Sequence, residues 1–427
     1  VVLQGGSCDV AGMAYIGMPA VMFGRNRHVG WSITNNICSL RDLYQEKTSP
    51  DHPGCFLFDE QWEPAQTREE TIRVRDHEEV PLTITSSRNG PIVDHLLPSV
   101  ARSTGPVSLK WLGNQEGGWL TALLAMGRSK NVADFQEATR PWHVPTFSLM
   151  VADTDGHIGF QAAGRIPLRR IAERGYRPGW DPKHQWDGLI PFASMPHLND
   201  PERGWIASAN NRLAADDYPY PLSGCWSSGH RAVRIRQMLT AKEKHSVENF
   251  QQMQVDTLSL RAVAALPPLL DLLTNDTHPL VPESLEILKA WNGHMQMDQV
   301  GPTLFNTFFN CWCQRVAAEQ FDEQIQSFMQ GTVSGVASRL LHEDPSQWFE
   351  EVDREEQIRA SFHQSLAQLT EQLGENIHDW TWGRLQVINF THVLADRGDL
   401  AELLNQRAQP VHGDMMTVCN TGFGTTG

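Results

Sequence analysis

Six glycines fall within the first 30 residues, at positions 5, 6, 12, 17, 24 and 30, and cut an apolar segment into short runs (VVLQ, VAGMAYIGMPAVMFG, HVGWSIT). Each would cost about 1 kcal/mol relative to alanine inside a helix. Residues 1–44 therefore predict buried strands joined by tight turns. Residues 23–31 (FGRNRHVGW) read as a hairpin turning at Arg25 to Arg27. The strand that follows ends at Thr34-Asn35-Asn36, where a backbone N–H can be left available.

Residues 45–115 stay strand-like but become more polar, with alternation in residues 70–75 and 81–85 and a turn at Asn89-Gly90-Pro91. This predicts a β-rich excursion from the core. A helical pattern follows at Trp119, Leu120, Leu123 and Leu124 and again over residues 132–138. Strands return at residues 147–153 and 157–162, with Asp155-Gly156 between them as a specific hairpin signal. Beyond Arg231, to about residue 408, the apolar period is helical, as in Val233/Ile235/Met238/Leu239, Val263/Leu266/Leu269/Leu270 and Leu285/Ile287/Leu288/Trp291. Pro267 and Pro268 predict a helix start or kink, and the charged residues 350–356 a solvated helix face.

Composition excludes several classes. With 40% hydrophobic and 20% charged residues the chain is neither disordered nor membrane-embedded, and no apolar run is long enough to span a bilayer. A formal net charge of −15 argues against nucleic acid or an anionic membrane as partner. The seven cysteines (8, 38, 55, 225, 311, 313, 419) include no CxxC pair and read as small buried residues, with a disulfide possible but not assignable. Most of the 14 tryptophans read as core.

The stretch most suggestive of chemistry is residues 206–235, in which a strand-like ASA gives way to Asn210-Asn211, a turn-rich segment (Asp216, Asp217, Pro219, Pro221, Ser223, Gly224) and then Arg231 at a helix start. A side-chain amide fixed at a strand end is a good donor to a developing oxyanion, with the arginine fixing the loop beneath it. The alternative is that the pair only builds an Asx-turn.

Residues 12–24 (GMAYIGMPAVMFG), 27–35 (RHVGWSITN) with 42–44 (DLY), 151–159 (VADTDGHIG), 188–192 (GLIPF) and 209–212 (ANNR) with Tyr218-Pro219 together resemble the penicillin acylase family of N-terminal-nucleophile amidohydrolases. The resemblance covers nearly the whole chain, with the motifs in the family's order. It implies an α+β fold, an αββα sandwich of stacked antiparallel sheets between helix layers with an inserted helical lobe. Residues 1–240 would then form the core, with the excursion at about 45–115, residues 241–408 the lobe, and 409–427 the start of a return to the core. It also implies a heterodimer with a small (α) chain cut from the same precursor, and a periplasmic or secreted location. A small-molecule acyl amide would be attacked by an N-terminal Ser whose α-amino group, with a pKa of roughly 8, serves as base. The side-chain oxyanion donor corresponds to Asn210, the backbone donor to Asn35, and the arginine that orders the site to Arg231.

The chain departs from that pattern at one point: it lacks the nucleophile. Val1 has no nucleophilic side chain and Ser7 is internal, so the 427 residues read as an incomplete large chain, inactive alone. No cofactor is implied for catalysis. A structural calcium is implied after Asn35, where Asp42 and the Arg41 carbonyl match, while Ser39 stands where a second carboxylate is expected and is a weak ligand for a hard cation. Phe23, Ile33, Met126 and Phe147 match positions lining the acyl pocket and suit an aromatic or aliphatic acyl group; the other reading is ordinary core. A catalytically silent family member acting as a binding or scaffold protein remains the alternative function.

Overall fold

A computed structural model describes residues 1–6, 8–97, 105–114, 117–171, 175–395 and 399–422; Ser7 lies outside them. Internal contacts divide the chain into two units, Val1–Ser227 and Ser228–Gly427.

The first unit opens with β1 (Val2–Gly5), β2 (Cys8–Met13), β3 (Phe23–Arg25), β4 (Val29–Asn35) and β5 (Arg41–Gln45). The excursion follows as β6 (Cys55–Phe58), β7 (Gln61–Pro64), β8 (Gln66–Ile72), β9 (Val80–Ser87), β10 (Gly90–Pro91) and β11 (Val107–Trp111). Helices α1 (Trp119–Met126) and α2 (Val132–Ala138) precede β12 (Phe147–Asp153), β13 (Ile158–Ala163), β14 (Pro167–Arg169), β15 (Arg177–Pro178), β16 (Trp186–Leu189) and β17 (His197–Asn199). Seven strands pair in the order β1-β2-β3-β4-β12-β13-β17, every neighbour antiparallel.

The glycine punctuation has a packing cause. Gly12 and Gly24 face each other across the β2–β3 ladder, and a Cβ on Gly12 would lie 2.2 Å from the Phe23 carbonyl oxygen. The β3–β4 hairpin forms, with its turn at residues 26–28 rather than Arg25 to Arg27 and the Asn26 side chain accepting from the N–H groups of His28 and Val29. At the Asp155-Gly156 turn the Asp153 carboxylate accepts from the N–H groups of Asp155 and His157. Side chains alternate along the central strands. Trp31, Phe147, Leu149 and Val151 meet Leu123, Met126, Val132 and Phe135 from the two helices. Met150, Phe160 and Ala162 on the other face meet Ile166, Ile190 and Met195. Apolar cover on both faces explains the apolar runs of β12 and β13, whereas β1, expected to be buried, is exposed along its length and residues 14–22, expected within strands, form none. The segment 207–209, expected as a strand, joins no ladder among the described residues; a bend at Ala209-Asn210 takes its place.

The second unit contains α3 (His230–Thr240), α4 (Val247–Gln254), α5 (Leu260–Leu273), α6 (Val281–Ala290), α7 (Gly301–Gln320), α8 (Glu323–Thr332), α9 (Ser334–Leu340) and α10 (Arg354–Leu373). A two-stranded hairpin of β18 (Val387–Phe390) and β19 (Gln406–Pro410) brackets α11 (Leu400–Leu404). The core is built on α7, with Phe305, Phe308, Trp312 and Val316 packed among Phe362, Leu366 and Leu369 of α10. Pro267 and Pro268 lie inside α5, which starts earlier at the Ser259 cap and continues to Leu273, so they do not mark a helix start. Residues 350–352 precede α10, which Asp353 caps by accepting from Glu355 and Glu356; the charged run is thus a helix entry rather than a helix face. The segment from Gly413 bonds within this unit, Gly413 N–H to the Met295 carbonyl and Cys419 N–H to that of Asp256. All seven cysteines are free, so the possible disulfide does not form; Cys38, Cys311 and Cys313 are buried, whereas Cys225 is exposed. No helix among the described residues is long and apolar enough to cross a membrane.

Candidate active site

The site is built at the end of β4. Pairing between β4 and β12 runs from Val29 opposite Asp153 to Asn35 opposite Phe147, whereas the β3–β4 register ends at Trp31. The last residues of β4 thus continue past their neighbour on one side. Immediately beyond, Asn36 is fully buried, donates from Nδ2 to the carbonyls of Phe147 (3.0 Å) and Ala163 (3.4 Å), and accepts from Cys38 N–H (3.0 Å). Three bonds from one side chain fix the exit of the strand.

Asn210 meets this strand end from a distance of 175 residues in sequence. Its Nδ2 donates to the Asn35 carbonyl at 2.8 Å and to Thr34 Oγ1 at 3.0 Å, while its own carbonyl accepts from Ser227 N–H at 3.0 Å. The backbone there is left-handed, φ +59°, a conformation asparagine tolerates better than most residues. The Asx-type contact belongs to Asn211, whose Oδ1 accepts from Ala209 N–H at 3.0 Å. One amide of the pair shapes the bend and the other reaches out of it. Two more backbone ties hold the loop to the strand exit, an antiparallel bridge of Cys38 with Gly224 and Ser39 N–H to the Ser223 carbonyl at 2.8 Å.

Asn35 and Asn210 are therefore brought together in the first unit. Arg231, the second residue of α3, belongs to the second unit. It is half-buried; burial lowers its pKa, and the Asp414 carboxylate opposes that shift. The Cys38 thiol beside the site is pushed up to about 12 by burial, so it supplies no thiolate near neutrality.

Phe23, Ile33, Met126 and Phe147 share one hydrophobic cluster. Ile33 and Asn35 lie on the same face of β4, and Phe147 stands directly opposite Asn35. Met126 has 0% exposure, so in this state it serves the core. The Phe147 ring packs edge-on against Trp142, centroids 5.7 Å apart.

Asp42 and Arg41 do not fit a calcium ion. Asp42 Oδ2 accepts from Arg169 Nε at 2.7 Å and Trp186 Nε1 at 2.5 Å. The carbonyls of Ser39 and Arg41 accept from Arg169 Nη2 at 3.0 and 3.5 Å. An organic cation is already coordinated where the metal was expected, and no group of three or more His, Cys, Asp or Glu suited to a metal occurs among the described residues. Arg169 was missed from sequence, and Thr34 and Asn36 were read only as part of the Thr34-Asn35-Asn36 strand end, with no side-chain role.

A family profile described as penicillin amidase matches residues 1–427. The chain belongs to the penicillin amidase family. It is 28% identical to the penicillin acylase 2 proenzyme of Pseudomonas sp. (strain SE83), over 97% of this chain and 54% of that protein. It is 26% identical to the acyl-homoserine lactone acylase QuiP of Pseudomonas aeruginosa, over 88% of this chain and 48% of that protein. The chain thus spans about half the length of the curated relatives it matches. The thermostable penicillin G acylase from Alcaligenes faecalis superposes with a TM-score of 0.71 at 22% identity, over 89% of this chain and 74% of that one. This family member accordingly shares the α+β fold of that acylase.

Proposed function

We propose that this chain is part of the large chain of an acylase that hydrolyses a linear amide to a carboxylic acid and an amine. The observation that carries the reading is the 2.8 Å contact between Asn210 Nδ2 and the Asn35 carbonyl, which sets a side-chain amide beside a strand end. In this reading a serine contributed by polypeptide outside residues 1–427 attacks the amide carbonyl, with its α-amino group taking the proton. The oxyanion is held by Asn210 Nδ2 and the Asn35 N–H. Nδ2 carries two hydrogens; the one on the Asn35 carbonyl orients the amide, and the one on the Thr34 hydroxyl exchanges onto the oxyanion. Arg231 corresponds, by the resemblance, to the family's site-ordering arginine. The apolar side chains of Phe23, Ile33 and Phe147 favour an aromatic or aliphatic acyl group, as in penicillins, cephalosporin side chains or acyl homoserine lactones. Met126 would join that wall only by leaving the core. A small chain from the same precursor completes the pocket, and a periplasmic or secreted location suits such a processed enzyme.

The test is expression of the whole precursor beside residues 1–427 alone, each assayed with phenylacetyl and long-chain acyl chromogenic amides. The processed whole protein should hydrolyse at least one, and the 427 residues neither. A folded, processed protein inert to both amides would overturn the assignment.

A further inference from the structure

We propose that Arg169 is the resident cation of the loop between β4 and β5, and that this loop takes no divalent metal. Three oxygens converge there: the carbonyls of Ser39 and Arg41, and Asp42 Oδ2. Calcium needs six to eight oxygens at about 2.3–2.6 Å. Here the oxygens instead surround a planar guanidinium, whose Nε and Nη2 reach the carboxylate and both carbonyls at 2.7, 3.0 and 3.5 Å. The Arg169 side chain is only 2% exposed and the Asp42 side chain 13%. Ser39 Oγ, the third candidate ligand, donates to the Arg41 carbonyl at 2.7 Å.

The pairing of β14 with β16 explains how the donors arrive together. Arg169 stands opposite Trp186 across a bulged ladder, so one strand pair delivers both N–H groups that Asp42 Oδ2 accepts. The guanidinium carbon lies 5.8 Å from the centre of the Trp186 ring, and Lys110 Nζ lies 5.1 Å from it on the same indole. A metal ion entering among these oxygens would have to displace a buried guanidinium and meet a second cation nearby. A fork that bridges a carboxylate and two carbonyls is a geometry that a lysine ammonium does not reproduce. What Arg169 holds is the segment whose Cys38 and Ser39 backbones tie to Gly224 and Ser223. It is thus a positioning residue for the junction between the two asparagine-bearing segments, and this role stands whether or not the acylase reading holds.

The experiment reads metal content and unfolding rather than turnover. The complete processed protein is dialysed against EDTA, analysed for bound calcium, and melted with EDTA or with added calcium chloride. The expected result is no stoichiometric calcium and the same unfolding midpoint in both conditions. Arg169→Met should lower the midpoint by about 5 °C or more, because it strands a mostly buried carboxylate, and Arg169→Lys should restore only part of the loss. A stoichiometric calcium ion whose binding disappears in Asp42→Asn would overturn the proposal, as would an Arg169→Met protein with the wild-type midpoint. If Arg169→Met fails to fold, the calcium measurement on the unaltered protein still decides.

Discussion

Replacing Asn210 separates chemistry from scaffolding if two variants are compared. Either Asn210→Ala or Asn210→Gly deletes the Nδ2 bonds to the Asn35 carbonyl and Thr34 Oγ1, each worth about 1 kcal/mol of stability. Alanine must in addition hold φ near +59°, which costs about 1–2 kcal/mol for a residue with a Cβ, whereas glycine adopts it freely. Asn210→Gly should therefore be the more stable variant by about 1 kcal/mol in urea denaturation. If the amide is an oxyanion donor, both variants lose the same factor in acylation rate, about 10² to 10³, equivalent to about 2.7–4 kcal/mol of transition-state stabilisation. The assay is single-turnover acylation by the processed whole protein with a chromogenic amide. The reasoning fails if Asn210→Gly regains the rate that Asn210→Ala lost, because the defect would then lie in the bend and not in the donor. Near-wild-type acylation by both refutes it as well.

Three further outcomes are expected. Arg231→Lys should slow both precursor maturation and turnover at least tenfold, since an ammonium lacks the planar donor fork; unchanged processing and kinetics would make Arg231 an ordinary half-buried arginine. Asn36→Ala removes three buried hydrogen bonds and should cost about 2–4 kcal/mol in urea denaturation, against a near-neutral result if the strand exit is held by the backbone alone. The His157 pKa is raised, chiefly by its hydrogen bond to Asp200 at 2.7 Å. Its stabilising contribution should thus be complete below about pH 6.5 and lost as pH rises through the raised value, and His157→Gln should flatten stability over that window.

Local geometry was legible where the residue itself dictates it. Gly12 and Gly24 allow the close β2–β3 approach, and Asp155-Gly156 turns the β12–β13 hairpin; both are read directly from the chain. Helix α7 was harder, because it is buried nearly all round, with the polar Thr303, Asn306 and Thr307 buried as well, and a helix buried on every side carries no clear amphipathic stripe. The chemistry of Asn210 could be suspected from its type and setting, but its bond to Asn35 spans 175 positions, and nothing local encodes such a partner. Arg169 was illegible for the same reason. An arginine in Pro-Leu-Arg-Arg looks like surface, as its neighbour Arg170 is, until the β14–β16 pairing points it inward, and that pairing is a property of the folded chain.

The β4–β12 ladder has a consequence for redesign. Phe147 and Asn35 are opposed, as are Leu149 and Ile33, so the side chains proposed to select the acyl group and the strand end proposed to activate it are read off one register. Side-chain volume at Ile33 or Phe147 can be varied while that register stands. Chain length cannot: deleting one residue within Val29–Asn35 would turn the side chains on one side of the deletion to the opposite face. Selectivity in this scaffold is thus open to substitution and closed to insertion or deletion along these two strands.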